Sequence, residues 1–225
     1  MDKSILTFGD VIFIRTEIQH NLPDISEDEK KKYYRMFEDK GWFNGELMSL
    51  EKYDKVNNFL KIYFGRSNFF DFLICHLTDQ KTSPIISVNG VIETEDSLVL
   101  IKRGNEVSSY PNWWDFPAGM IHYKDKNLID RLLERIKQDT NIASSDIFIE
   151  KKILFSTLLD NRALNFFYHL IYKKTKKDLE TFFDNHFKKN RPIILHKSEI
   201  DNFLEKNKVV FSEILEKGKK NFRLN

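Results

Sequence analysis

The sequence predicts an α/β fold, a mixed sheet held between helices as an α/β or α+β sandwich. Three observations predict it. Short apolar strands alternate with charged amphipathic helices along the chain. Hydrophobic residues make up 41% and charged residues 31%, with twenty Phe, eight Tyr and three Trp, a composition for an aromatic-rich globular core. The 225 residues suffice for one large domain, or for a domain of about 100–150 residues with a smaller companion.

Taken in order, "DVIFIRTEI" (10–18) alternates as a first strand. "PDISEDEKKKYYRMFEDKG" reads as a helix, with Ser26 as N-cap, acidic residues in the first turn and Gly41 past its end. "FNGELMSL" and "NNFLKIYFG" read as strands separated by the polar "EKYDKVN". The run 67–77 fits strand or helix equally, because a short apolar run has no decisive period. "TDQKTSP" (78–84) is polar and ends in proline, which sets a boundary between a small α+β N-terminal region, 1–83, and a larger domain, 84–225.

From Ile85 the pattern is more regular. "IISVNGVIET" and "SLVLIKRG" form two strands joined by "EDS", and "WWDFPAG" enters a tight turn. Residues 127–139 form a helix whose stripe is Leu128, Leu132, Leu133 and Ile136. Two long strands, "IFIEKKILFSTLLD" and "ALNFFYHLIYKK", flank "NR". A helix at "KKDLETFFDNHF", a strand at "PIILHK", a helix capped by Ser198 and a last helix near 211–222 complete the chain.

The net charge of +2 gives no case for nucleic acid, and the Lys run 30–32 reads as a solvated helix face. No apolar run approaches the ~18–20 residues that span a bilayer. No basic n-region with an apolar h-region opens the sequence, so a cytoplasmic protein is expected. The single cysteine, Cys75, lies in an apolar run and reads as a buried thiol. His76 and His169 sit in stretches read as apolar strands and are expected in the core. There is no zinc spacing, no phosphate-binding G-x-x-x-x-G-K-[ST] loop and no G-x-S-x-G elbow.

The stretch "PNWWDFPAGMIHYKDKNLIDRLLERIKQDTNI" (111–142) combines a Pro-Ala-Gly turn, a loop and a charged helix. It resembles the Nudix box, G-x5-E-x7-R-E-U-x-E-E-x-G-U, in which glutamates on a loop–helix hold magnesium against a substrate diphosphate. The flanking strands follow the same order, so the resemblance covers roughly 84–225 and implies a Nudix α/β/α sandwich with a mixed sheet. Ungapped, Gly119 opens the box, Asp125 takes the first Glu position, and Glu134 takes the Glu after the arginine. That alignment puts Arg135 at an aliphatic position. With one extra loop residue, Leu128, Leu132 and Ile136 take the apolar positions, and Asn141 stands for the terminal glycine. The gapped version is preferred, because the apolar face fixes how the helix sits.

In that version Arg135, Gln138 and Asp139 flank the stripe where the family aims its metal ligands, and only Asp139 is anionic. Magnesium manages with one or two carboxylates when phosphates and waters complete its shell. A guanidinium about 5 Å from a dication nevertheless opposes it by roughly 5 kcal/mol or more at an effective dielectric near 20. Arg135 therefore has two roles to choose between: a fixed cation for a substrate phosphate, or a surface arginine paired with its helix neighbours.

The upstream half, with Leu98–Arg103, Val107 and Pro111, looks like the larger Nudix proteins that act on nucleotide sugars such as UDP-glucose. The resemblance implies Glu134 and Asp139 as catalytic residues. Asp139, Asp125 and Gln138 become the ligands of Mg2+ or Mn2+ if the chain is active, and no cofactor is implied if it only binds. Arg103, Arg135, Trp114, Gly119 and His122 become the substrate contacts. Arg103 ends a strand beside the site, Trp113 or Trp114 offers a stacking face, and His122 lies in the box loop. Asp115 is a candidate polar contact in the cleft, and Glu150 and Asp160, acids on or after a strand, rank below Asp139. The implied partner is a nucleotide-derived small molecule, with a homodimer common among such relatives and no nucleic acid or membrane. Two readings stand: a pyrophosphohydrolase or binder of a nucleoside diphosphate linked to another moiety, and an inactive Nudix-fold sensor or interaction module.

Overall fold

The computed structural model describes residues 5–6, 10–57, 59–159, 163–188 and 190–218. In chain order the first elements are β1 (Ile5–Leu6), β2 (Asp10–His20), α1 (Glu27–Asp39), β3 (Glu46–Val56), β4 (Phe59–Asn68) and α2 (Phe69–Leu77). Then come β5 (Ile85–Glu93), β6 (Ser97–Lys102), β7 (Trp114–Asp115), β8 (Ala118–Met120) and α3 (Leu128–Thr140). The last are β9 (Ile147–Leu159), β10 (Ala163–Tyr172), α4 (Lys176–His186), β11 (Ile193–His196), α5 (Ile200–Lys206) and α6 (Ser212–Gly218). This is an α/β fold. Its residues divide into two compact units, the first Met1–Val88, Met120–Leu128 and Phe155–Phe166, the second Asn89–Gly119, Ile129–Leu154 and Phe167–Asn225.

In the first unit β2 runs parallel to β4, with Phe13 opposite Ile62, and β4 runs antiparallel to β3, with Val56 opposite Phe59. The sheet is therefore mixed. The polar stretch 51–56, expected as a connector, is strand: β3 continues to Val56 past an irregularity between Leu50 and Lys52. Its residues 51–56 are all exposed, so the alternation that betrays a half-buried strand is missing.

Ser26 caps α1 as expected, its hydroxyl accepting the Glu29 N–H at 3.2 Å. Gly41 ends the helix at φ 72°, and the Trp42 N–H returns to the Phe37 carbonyl at 3.1 Å. The ambiguous run 67–77 ends β4 at Asn68 and is helix from Phe69, because Asn68 supplies a cap: its side-chain oxygen accepts the Phe70 N–H at 3.1 Å. Phe37 of α1 packs against Phe70 and Ile74 of α2 and Leu47 of β3 in one apolar cluster. His76 thus belongs to a helix rather than a strand, edge-on to Phe72 at 4.4 Å. Of the lysines expected to be solvated, Lys30 turns inward to the buried Asp71 at 2.9 Å. Cys75 is buried, as expected.

In the second unit β6 pairs with β11, with β7 and with the end of β5, where Glu93 faces Leu98. Leu132 and Ile136 of α3 are fully buried. They reach β5 because residue 90 is glycine: a Cβ there would stand 2.7 Å from Leu170 Cδ1 and 3.1 Å from Ile136 Cδ1. Asn141 ends α3 at φ 57°, the left-handed turn expected of it, and its N–H returns to the Lys137 carbonyl at 2.9 Å. A reciprocal Thr175–Asp178 capping box starts α4.

Ser198, expected as an N-cap, lies instead in a 3-10 turn (Lys197–Glu199), and its hydroxyl meets His196 Nδ1 at 2.6 Å. Helix α5 starts without a side-chain cap, because that turn already delivers the chain in helical conformation. The Asn161-Arg162 turn, and the expected helical residues 219–222, lie outside the described residues. No helix among the described residues is long and apolar enough to cross a membrane.

Candidate ligand site around Gly119

The site starts from a missing side chain. The tight turn expected at Pro117-Ala118-Gly119 is strand instead, β8, and at Gly119, where that strand passes α3, a Cβ would lie 2.3 Å from Arg135 Cγ and 2.9 Å from its Cδ. The aliphatic stem of Arg135 occupies that space, which only glycine leaves open. The guanidinium is then fixed at three points. Nε donates to the Ala118 carbonyl at 3.0 Å, Nη1 to Gln138 Oε1 at 2.7 Å and Nη2 to Asp139 Oδ1 at 2.9 Å. One turn back, Gln138 Nε2 donates to Glu134 Oε1 at 3.1 Å, and Arg131 Nη1 to Glu134 Oε2 at 2.6 Å. The helix therefore carries a continuous polar ribbon at i, i+3 and i, i+4 spacing.

Asp139 is the buried member of this ribbon, its side chain 13% exposed against 32% for Arg135. Its second oxygen, Oδ2, is buried without a hydrogen-bond partner. Burial pushes the Asp139 carboxyl above the usual carboxylate range, while Arg135, the Ala118 N–H, Arg103 and Arg131 pull it down.

A second ion pair joins the residue after β6 to β7. Arg103 Nη1 meets Asp115 Oδ2 at 2.7 Å, and Arg103 Nε donates to the Ser109 carbonyl at 3.1 Å. The other Asp115 oxygen accepts the Phe116 N–H at 2.8 Å. Asp115 is 1% exposed, and burial lifts its carboxyl to about 6 against the lowering effect of Arg103. The Asp139 charge adds to that rise, so the two acids share one electrostatic neighbourhood.

The aromatic candidates are held by the second unit's own framework. Trp114 Nε1 donates to Asn207 Oδ1 at 3.3 Å, and its ring packs edge-on to Phe203 at 5.7 Å. Trp113 tilts against Tyr110 at 5.1 Å, with the Lys208 ammonium 5.7 Å from its ring centre. His122 and Asp125 belong to the first unit. There the Asp125 carboxylate accepts the His122 N–H at 2.8 Å and closes a loop turn. Asp160 lies outside the described residues, and Glu150 falls on β9.

The second unit thus brings together Gly119, Glu134, Arg135, Gln138 and Asp139, with Arg103 and Asp115 in their electrostatic reach. Sequence reasoning missed three features: Arg131 as the anchor of Glu134, the Ala118 carbonyl as an anchor of Arg135, and the Arg103–Asp115 pairing. The last had a signal, a basic residue ending a strand and an acid inside an apolar aromatic word. A main-chain carbonyl acting as partner leaves no signal.

The donor set does not fit a divalent cation. Among the described residues no three His, Cys, Asp or Glu side chains converge on a common point. Asp139 offers one free oxygen, both Asp115 oxygens are engaged, and Gln138 Oε1 accepts from Arg135. Hard cations need several oxygens, and the one charge beside the free oxygen is positive.

No family model and no curated protein matches the sequence. Among solved structures, the chain is similar to a mutT/nudix family protein from Listeria innocua, at 13% identity and a TM-score of 0.47, covering 61% of this chain and 93% of that one. It is similar to the C. elegans Ap4A hydrolase at 12% identity and a TM-score of 0.41, covering 60% and 95%. It is also similar to the NUDIX domain of Shewanella oneidensis NrtR, solved with ADP ribose, at 13% identity and a TM-score of 0.44, covering 64% and 95%. At these identities the chemistry of this chain rests on its own residues. Several of the solved structures it is similar to are named as Nudix proteins.

Proposed function

We propose that this chain is a Nudix-type protein that binds a nucleoside diphosphate linked to another moiety, a nucleotide sugar or an ADP-ribose-like molecule. In this reading residues 84–225 form the Nudix-like domain and 1–83 an accessory region. The observation that carries it is the Arg135 guanidinium, held against Gly119 of β8 with Arg103 in the same electrostatic neighbourhood: fixed cations of the kind that recognise a diphosphate. One of the similar structures was solved with ADP ribose, a molecule of that class.

A second reading, a pyrophosphohydrolase, is favoured by one specific observation. Asp139 Oδ2 is a buried carboxylate oxygen without a partner, in the cluster that Arg135 ties to Ala118 of β8. The two readings separate in one experiment. The chain is incubated with nucleotide sugars, ADP-ribose, dinucleoside polyphosphates and dNTPs, with Mg2+, Mn2+ or EDTA, and both product release and melting temperature are followed. A ligand-specific thermal shift without turnover supports binding. Metal-dependent turnover lost in Asp139→Ala replaces it with the hydrolase. Neither shift nor turnover overturns both.

A further inference from the structure

The resemblance leads to a metal-held diphosphate beside Gly119, and the residues there do not fit a divalent cation. That disagreement has a particular form. The positive charge next to Asp139 is already part of the chain, its stem seated where a Cβ of residue 119 would stand. A guanidinium has five N–H donors. Three hold it to the Ala118 carbonyl, Gln138 and Asp139. Two remain, one on each terminal nitrogen, with no acceptor among the described residues, and the side chain is 32% exposed. The cation is thus immobilised before any ligand arrives and still presents two donors. Donors of that kind suit phosphate oxygens, which a guanidinium takes in pairs.

We propose that Arg135 is a built-in substitute for the divalent cation, receiving the ligand's phosphate oxygens directly, so that binding at this site needs no metal. The proposal rests on the nucleoside-diphosphate reading of the same site. Its distinguishing consequence concerns Asp139. If a metal bridged protein and diphosphate, Asp139 would be its principal ligand, and neutralising it would abolish binding. If Arg135 does the bridging, Asp139 only orients and partly neutralises the guanidinium. An asparagine keeps the oxygen that accepts from Nη2 and removes a negative charge that repels phosphate. The two accounts predict opposite signs for one substitution.

The test uses the full chain and isothermal titration with ADP-ribose and with UDP-glucose, once in EDTA and once in Mg2+. The expected result is an affinity that agrees within about twofold between the two conditions. Arg135→Met should weaken binding by about tenfold to a hundredfold, the range for hydrogen bonds to a charged group. Arg135→Lys should also weaken it, because one ammonium cannot keep three protein acceptors and still meet the phosphate. Asp139→Asn should bind as tightly as the parent or tighter. Thermal melts establish that each variant is folded. If Arg135→Met does not fold, Arg135→Lys and Asp139→Asn decide. Mg2+-dependent binding in the parent, unchanged affinity in the Arg135 variants, or lost affinity in Asp139→Asn would each overturn the proposal. A parent chain that binds neither probe in either condition removes the nucleoside-diphosphate reading, and this inference with it. Binding that survives in the Arg135 variants removes this inference alone.

Discussion

Two clusters of ionisable side chains in the second unit look alike in composition and differ in completeness. In one, the Glu93 carboxylate is shared between His169 Nε2 and Lys197 Nζ, one partner per oxygen, and the three side chains are 9%, 1% and 11% exposed. The hydrogen bonds of these partners hold Glu93 below the ordinary carboxylate range despite its burial. In the other, Asp139 gives one oxygen to Arg135 and keeps the second buried and unpartnered, and burial pushes its carboxyl upward. The difference teaches how to tell a structural ion cluster from a candidate site. A closed cluster satisfies its buried charges internally and offers a ligand nothing. An open one carries an electrostatic cost that folding alone does not explain.

The largest expected effect breaks the closed cluster. Glu93→Ala leaves Lys197 and His169 buried without their shared partner, and it should cost about 3–5 kcal/mol in urea unfolding, as removal of one member of a buried ion pair does. It should leave the relative effect of Arg135 substitutions on ADP-ribose binding unchanged. A loss below about 1 kcal/mol would show that the cluster is not closed.

Next comes the acid between the two extremes. Asp115 has both oxygens engaged, yet its carboxyl rises from 3.8 to about 6. A carboxyl whose pKa is higher in the folded chain than in the unfolded one keeps its proton over that window only in the folded state. Its contribution is complete below the unfolded value and is lost as pH rises through about 6, a swing on the order of 2–3 kcal/mol. Asp115→Asn should flatten the fall in stability between about pH 4 and 6. Parallel curves for the two proteins would contradict the assignment.

A packing change of middle size tests the frame that aims the open cluster. Gly90→Ala places a methyl 2.7 Å from Leu170 Cδ1 and 3.1 Å from Ile136 Cδ1. It should cost about 1–3 kcal/mol, as overpacking does, and weaken ligand binding by tilting α3. The smallest effect belongs to Asp139→Asn, which removes an incompletely paired buried charge and should shift stability by less than about 1 kcal/mol, in either direction. A large loss there would make Asp139 a structural residue like Glu93.

Much of this frame was legible in the sequence. The 3.6-residue stripe placed Leu132 and Ile136 in the core, because apolar spacing on a helix leaves a periodic trace. The left-handed turn at Asn141 came from the resemblance, in which Asn141 stands for the terminal glycine of the box. Legibility failed where a partner is distant or has no side-chain identity. Glu93 and Lys197 lie 104 residues apart, and nothing local marks either as half of a pair. In the sequence Arg135 fits a phosphate-binding cation or a surface arginine, and nothing local marks the Ala118 carbonyl and the bare Cα of Gly119 that lie beside it. The polar half of β3 failed for the opposite reason: exposed on both faces, it carries no periodic signal at all.

The central claim is that the open cluster receives a diphosphate through Arg135 rather than through a metal. The most direct measurement is a crystal structure of the full chain with ADP-ribose, grown in EDTA. The account predicts diphosphate oxygens within hydrogen-bond reach of Arg135 Nη1 and Nη2, with the guanidinium still held by the Ala118 carbonyl and Asp139. A diphosphate bound away from Arg135, or one that appears at Asp139 only after Mg2+ or Mn2+ is added, would contradict it.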